Sequence, residues 1–371
     1  MQVSRNTTGM ASGLCVATDR SGRDQCVVVV KGTFALEAGG EPRLADEQAP
    51  LVSSDAHWGD PGTTSLRYEN DFAPFKPRAD ILINGQAVSP TGRPVDTLLV
   101  TVEMGTLRKS IRVTGDRRWE RGLLGLRPSP TRGFVQMPLV YERAFGGTDV
   151  THEDLRHRGT ELRNPVGVGY HKNPDAQEAE GTPLPNLEDP RQPISGWRDT
   201  PQPVGLGPVG RSWQPRIAHA GTYDQRWLEE EYPFLPRDFD TQYFLCAPVD
   251  QQVPSLRGGE VLRCTGLTRE GVLVARVPSL RFPVTFRFDD RDQCLDPLLD
   301  TLLIEPDQHR MMLTWRASVP LGRKPGRLRE ILVGQPPVRR PPGRGGGKRH
   351  FRSLAEAVAA CRKIRRGAGQ P

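Results

Sequence analysis

The sequence predicts a mainly β protein of antiparallel sandwich or barrel-like sheets, with a long, ordered, Pro/Gly-rich irregular segment in its middle and a short C-terminal helix. Three observations predict it. Short runs rich in β-branched and aromatic residues recur at close intervals with turn residues between them, the rhythm of a sandwich or barrel. The 39 glycines and 35 prolines in 371 residues favour many turns over long helices. The central stretch sets Trp197, Trp213, Tyr223, Trp227, Tyr232 and Phe234 among its prolines, rings that demand burial or a partner, so it is no disordered linker.

Residues 25–36, QCVVVVKGTFAL, read as a strand with one heavily buried section, ended by Gly39-Gly40. Residues 79–88 alternate around Ile81 and Ile83. The clearest hairpin pairs 97–104 with 107–113 across a turn at Gly105-Thr106, because LRKSIRV alternates apolar and charged residues and so has one buried and one wet face. Residues 134–141 add a further strand. Strands resume at 243–249, 260–267, 272–277, 284–288 and 311–319, whereas 294–307 read as either a short helix or a strand, with Pro297 against both.

These elements give an N-terminal β region, 1–145, and a C-terminal one, 242–334, with 1–334 readable as one compact domain. Between them, 146–241 is too rich in proline for regular structure, since each proline removes a donor and restricts its neighbour. It is expected to be packed on the body by tertiary contacts. A basic, flexible linker follows at 335–352, then an amphipathic helix at 353–366, opened by the capping-box pair Ser353 and Glu356.

The formal charge of +7 is unevenly distributed: from Arg323 onward the chain holds 14 Lys or Arg against Glu330 and Glu356, which leaves the body slightly acidic. Nucleic-acid binding is therefore a question for the tail, where Arg339, Arg340, Arg344, Lys348, Arg349 and Arg352 could meet phosphates; with Phe351 the lone ring among them, a solvated linker or a docking arm for an acidic protein fits better. Cys15, Cys26, Cys246, Cys264, Cys294 and Cys361 show no CxxC spacing, and reduced thiols are expected. With no apolar leader and no run long enough to span a bilayer, the protein is expected to be cytoplasmic and free of the membrane.

Catalytic sets are thin. Ser212, His219 and Asp224 can be assembled into a hydrolase triad, but no GxSxG elbow supports them, and Cys246 with His219 and Asp250 is no better founded. His152 and His157 lack metal-site spacing, and GLGPVG, with Gly205, Gly207 and Gly210, lacks the strand and helix of a dinucleotide loop. No cofactor and no metal is expected. A glycan- or peptide-directed hydrolase remains the alternative, with Trp213, Tyr223 and Trp227 as a sugar platform and Asp224 and Glu229 as acid and base. Arg143, Arg211 and Arg216 read as scaffold arginines that satisfy carbonyls and carboxylates, with Asp224, Asp238 and Asp240 as counter-charges.

Seven blocks carry a resemblance: VVVVKGTFAL, NDFAPFKPRADILINGQAVSPTGRPVDTLLVTVEMG, MPLVYERAFGG, RNPVGVGY, LPNLEDP, RSWQPRIAHAGTYDQRWLEEEYPFLPRDFDTQYFLCAPVDQQV and LRGGEVL. In this order, over 27–267, they resemble a family known as a domain of unknown function and encoded in bacterial type VI secretion clusters. The resemblance implies a non-catalytic adaptor or chaperone that binds a secreted effector toxin in the cytoplasm and helps load it onto the spike-tip protein of the apparatus. It brings no catalytic residues. Arg211, Trp213, Arg216, Tyr223 and Trp227 are the expected partner-binding residues, with Arg143, Asp224, Asp238 and Asp240 as the polar scaffold.

Overall fold

Val27 to Val30 are all buried, so this run of valines forms a strand covered on both faces. A computed structural model describes residues 2–334 except 20, 37–41, 124, 150–153, 155, 157, 173–178 and 323–324. The basic linker, the 353–366 helix and the His152 and His157 pair lie outside the described residues. The principal strands are β1 (Ala11–Thr18), β2 (Asp24–Ala35), β3 (Ala79–Ile83), β4 (Thr97–Met104), β5 (Leu107–Thr114) and β6 (Val261–Thr265). They continue with β7 (Val272–Arg276), β8 (Val284–Phe288), β9 (Asp292–Leu295), β10 (Leu298–Glu305), β11 (Arg310–Pro320) and β12 (Leu328–Val333).

The protein is mainly β, in several largely antiparallel sheets that form no closed barrel among the described residues. The largest sheet runs β1, β2, β11, β10, β3 and then Gln252–Val253. Its spine is the β2/β11 pair, in register from Gln25 opposite Pro320 to Ala35 opposite Arg310. β10 and β3 are parallel, Thr301 opposite Asp80 and Ile304 opposite Ile83. A second sheet runs Leu187–Glu188, β5, β4, β6, β7, and a third Arg5–Asn6, β12, β8, β9. Strands from the first and last thirds of the chain are thus intermixed within one sheet.

The period of two along each strand divides the largest sheet into two faces. On one, Val28, Val30, Ile81, Ile83, Leu302, Ile304, Leu313 and Trp315 join Val100, Ile111, Leu262, Phe286 and Ile331 of the other two sheets in a shared apolar core. The opposite face carries Lys31, Thr33, Asp80, Thr314 and Arg316, all buried. Apolar side chains build the body, and this second face receives the irregular segment.

Several expected elements differ. The 243–249 strand is absent: Thr241–Phe244 and Val249–Gln251 are 3-10 turns, and the backbone N–H groups of Cys246 and Ala247 donate to the Asp80 carboxylate at 3.0 and 3.1 Å, not to a neighbouring strand. Residues 79–88 split into β3 and Gln86–Val88 because Ile83 N–H turns to the Leu206 carbonyl. Residues 294–307 resolve into β9 and β10, parted at Pro297. The strand at 134–141 shortens to Gln136–Pro138. The 97–113 hairpin turns at Gly105 and Thr106 as expected, with Gly105 at φ 58° and Met104 opposite Leu107.

Candidate partner-binding surface

The irregular segment is held by ions. Arg216, in the 3-10 turn Arg216–Ala220, donates from Nε to the Tyr243 carbonyl (2.9 Å), from Nη1 to the Val209 carbonyl (2.8 Å) and from Nη2 to Glu69. Arg211 reaches the same Glu69 oxygen at 3.1 Å and Asp55 at 3.4 Å. Beneath them Lys76 donates to Asp80 (2.6 Å) and Thr301 (3.1 Å). Lys31 meets Asp71 at 2.9 Å, while Arg316 bonds Asp300 and the Asp71 carbonyl.

Lys31, Lys76, Arg216 and Arg316 face Glu69, Asp71, Asp80 and Asp300, and no side chain among the eight is more than 10% exposed. Balance is required here, since a buried ion without a partner costs several kcal/mol, on the order of the protein's whole stability. Burial is the largest single influence and opposes the Lys76 ammonium, but Asp80, Cys246 and Glu69 together outweigh it and raise the lysine above its usual value. Burial, then Asp80 and Glu69, push the Cys246 thiol well up. A thiolate nucleophile is thereby disfavoured at this position.

Beyond this anchor the chain closes a small aromatic cap. Helix α1 (Gln225–Glu230) begins where Asp224 accepts Trp227 N–H at 2.8 Å. Trp227 packs edge-on against Tyr223 (4.7 Å between centroids) and Tyr232 (5.6 Å), and its Nε1 donates to the Phe234 carbonyl at 2.9 Å. Asp238 ties the ends together through Thr222 N (3.0 Å) and Oγ1 (2.7 Å), and Asp240 caps the Thr241–Phe244 turn through Gln242 N at 2.9 Å. Tyr223, Leu228, Tyr232 and Phe234 remain exposed, Tyr232 most at 64%. Exposed rings on a rigidly tied loop are the composition of a contact surface.

Of the expected partner-binding residues, Tyr223 and Trp227 stand in this cap, while the half-buried Arg211 belongs to the anchor with Glu69 and Asp55. Trp213 and Arg216 do not reach a surface and are corrected to interior residues: Trp213 is 7% exposed and stacks edge-on with Tyr141 at 5.3 Å, and Arg216 is 4% exposed. The counter-charges are corrected as well. Arg211 and Arg216 use Glu69, not Asp224, Asp238 or Asp240, whose carboxylates are turned to local backbone N–H groups. Arg143 bonds Asn186 (3.0 Å) and Asp116 (3.5 Å) in a polar cleft of about 720 Å³ shared with Arg117, Arg118 and Arg132.

The hydrolase sets are dispersed. His219 faces Asp240 at 3.5 Å, Asp224 caps α1, and no hydrogen bond joins Ser212 to His219. Asp250 is engaged by Lys109 at 2.8 Å. Glu229 accepts from Gln225 on the outside of α1. The GLGPVG glycines make room for rings: a Cβ on Gly205 would stand 2.5 Å from Tyr141, and one on Gly210 would stand 2.9 Å from Trp213. Among the described residues no cluster of His, Cys, Asp or Glu has the makings of a metal site, and no helix is long and apolar enough to cross a membrane.

Sequence reasoning reached Arg216 as a scaffold arginine, which its bonds to two carbonyls and Glu69 bear out, but missed Lys31, Glu69, Asp71, Lys76, Asp80, Asp300 and Arg316. The signal was a charge interrupting an apolar strand: Lys31 after VVVV, Asp80 in ADILI, Arg316 in LTWRAS.

Fold and geometry together define a mainly β protein that holds an irregular aromatic segment on its largest sheet through a buried ion cluster. The chain belongs to the family described as uncharacterized protein conserved in bacteria (DUF2169), which matches residues 21–316. No curated protein and no solved structure matches it.

Proposed function

We propose that this protein is an adaptor of type VI secretion: it binds an effector toxin in the cytoplasm by non-catalytic contact, keeps it soluble and helps load it onto the spike-tip protein. The observation that carries this reading is the cap, where Tyr223, Leu228, Tyr232 and Phe234 are exposed around the half-buried Trp227, and whose flanking 3-10 turns, Arg216–Ala220 and Thr241–Phe244, are tied through Arg216 to Glu69. Rigid aromatic anchors lose little entropy on binding and supply most of the affinity of a protein interface. The resemblance over 27–267 to proteins of secretion clusters supplies the partner class.

The test is co-expression with the effector encoded beside this gene, comparing wild type with a Tyr223→Ala, Tyr232→Ala double variant. The reading expects the effector to stay soluble and co-purify with wild type and to lose at least tenfold in affinity with the variant, about 1.4 kcal/mol. An effector equally soluble and secreted without the chain overturns it.

A further inference from the structure

Four arginines line one cleft of about 720 Å³, brought together from three stretches of chain: Arg117 and Arg118, Arg132, and Arg143. The backbone that carries the first three is pinned. Arg118 N–H donates to Ser129 Oγ (3.0 Å) and Ser129 N–H returns to the Arg118 carbonyl (2.8 Å), while Arg132 N–H bonds the Asp116 carbonyl (3.0 Å). Arg132 therefore stands opposite Asp116, and Arg118 lies two residues, about 7 Å, further along the same side of the extended backbone. Both arginines are exposed.

Arg117 and Arg143 are set more deeply and held in place. The Arg117 guanidinium bonds the Pro185 carbonyl (3.2 Å) and the buried Glu188 carboxylate, which Arg112 shares. Arg143 donates to Asn186 Oδ1 (3.0 Å), and Asn186 in turn donates to Asp116 and to the Thr114 carbonyl, each at 3.0 Å. Forks positioned in advance lose little entropy when they meet a carboxylate.

The cleft is cationic. Its two carboxylates are already engaged, Asp116 by Asn186 and Arg143, and Glu142 by the Ser65 N–H (2.8 Å) and hydroxyl (2.7 Å). Two positive charges remain in excess, and the same excess holds when Arg112 and Glu188 are included. An excess of one sign in a concave site concentrates ions of the other. The lining also offers Val140, Val168, Pro183 and Leu184 but no aromatic ring. A nucleic-acid base would find no stacking platform here, whereas a peptide that alternates carboxylates with aliphatic side chains matches both the charge and the walls.

We propose that this cleft docks an extended acidic segment of the cargo protein, whose carboxylates meet the exposed Arg118 and Arg132 and the half-buried Arg143. This rests on the adaptor reading for the partner and specifies a contact separate from the aromatic cap. The arginines select for charge, and the aliphatic wall selects for a peptide chain.

The experiment uses the full chain with two capped peptides, one alternating valine with glutamate and the other valine with lysine, beside a single-stranded oligonucleotide and inorganic phosphate. The glutamate peptide should bind, weaken as salt rises from about 50 to 500 mM, and slow hydrogen exchange over 116–118 and 129–132 while leaving 223–234 unchanged. Arg118→Glu with Arg132→Glu should lower its affinity about tenfold and turn the preference toward the lysine peptide. Should that pair lower the melting temperature, Arg118→Gln with Arg132→Gln should give a smaller loss in the same direction. Binding of neither peptide, equal binding of both, protection at the cap in place of the cleft, or tighter binding of the oligonucleotide overturns the proposal. Inorganic phosphate bound as tightly as the glutamate peptide also overturns it, in favour of a small-anion site. An effector retained equally by wild type and the charge-reversed chain overturns this cleft as a cargo site and leaves the adaptor reading standing. An effector retained by neither, with the glutamate peptide still bound at the cleft of wild type, overturns the adaptor reading and leaves the acidic-peptide site.

Discussion

Arg216 places one guanidinium nitrogen on the Glu69 carboxylate across 147 residues of sequence, and its other two nitrogens on the carbonyls of Val209 and Tyr243. One side chain thus joins three stretches of irregular chain. Arg211 shares the same carboxylate, so Glu69 is the common point on which the cap depends.

Glu69→Ala leaves the internal Arg216 guanidinium without a carboxylate, while Arg211 keeps only Asp55. The variant should lose about 3–5 kcal/mol of stability in urea unfolding, because an unpaired buried charge costs more than a missing contact. Adding Arg216→Met should recover a large share of that loss. Failure of the double variant to improve on the single one would show that Arg216 matters for its carbonyl bonds and not for its charge.

Trp213 and Tyr232 should behave as opposites. Trp213→Ala empties the space beside Tyr141 and should cost about 3–5 kcal/mol. Tyr232→Ala, at a site 64% exposed, should stay within about 0.5 kcal/mol of wild type while weakening effector binding. Thermal denaturation beside a binding isotherm separates the two effects.

Acid should loosen the cap. The Gln242 N–H holds the Asp240 carboxyl below the usual range, and the Thr222 N–H and hydroxyl do the same for Asp238. A depressed pKa contributes stability that is present above the unfolded value, about 3.9, and lost as pH falls through the lower folded one. Protection of the Thr222 and Gln242 amides should therefore fall below about pH 4, relative to Val28 in the core. Asp240→Asn should remove this acid dependence at Gln242.

Thiol reactivity should follow burial. Burial pushes Cys26 up to about 11 and Cys264 up to about 12, and Cys246 lies well above its usual value, while Cys294 is exposed. With Cys361→Ser in place, iodoacetamide at mild alkaline pH should modify Cys294 first and reach Cys26, Cys246 and Cys264 after denaturation. Mass spectrometry of the labelled peptides reads the order directly.

The sequence by itself determined the local elements. The 97–113 hairpin follows from alternation and a glycine that accepts positive φ, the buried β2 from a run of valines, and the need to anchor the central segment from its rings and prolines. Each is a property of neighbouring residues. Tertiary structure decided the rest: that Cys246 and Ala247 give their N–H groups to Asp80 and 243–249 forms no strand, that Trp213 and Arg216 lie inside while Tyr223 is exposed and Trp227 half-buried, and that β2 pairs with β11 far along the chain. Composition can require that a buried charge find a partner. Which partner, 147 residues away or 16 as for Arg316 and Asp300, is set only when sheet order brings the two together.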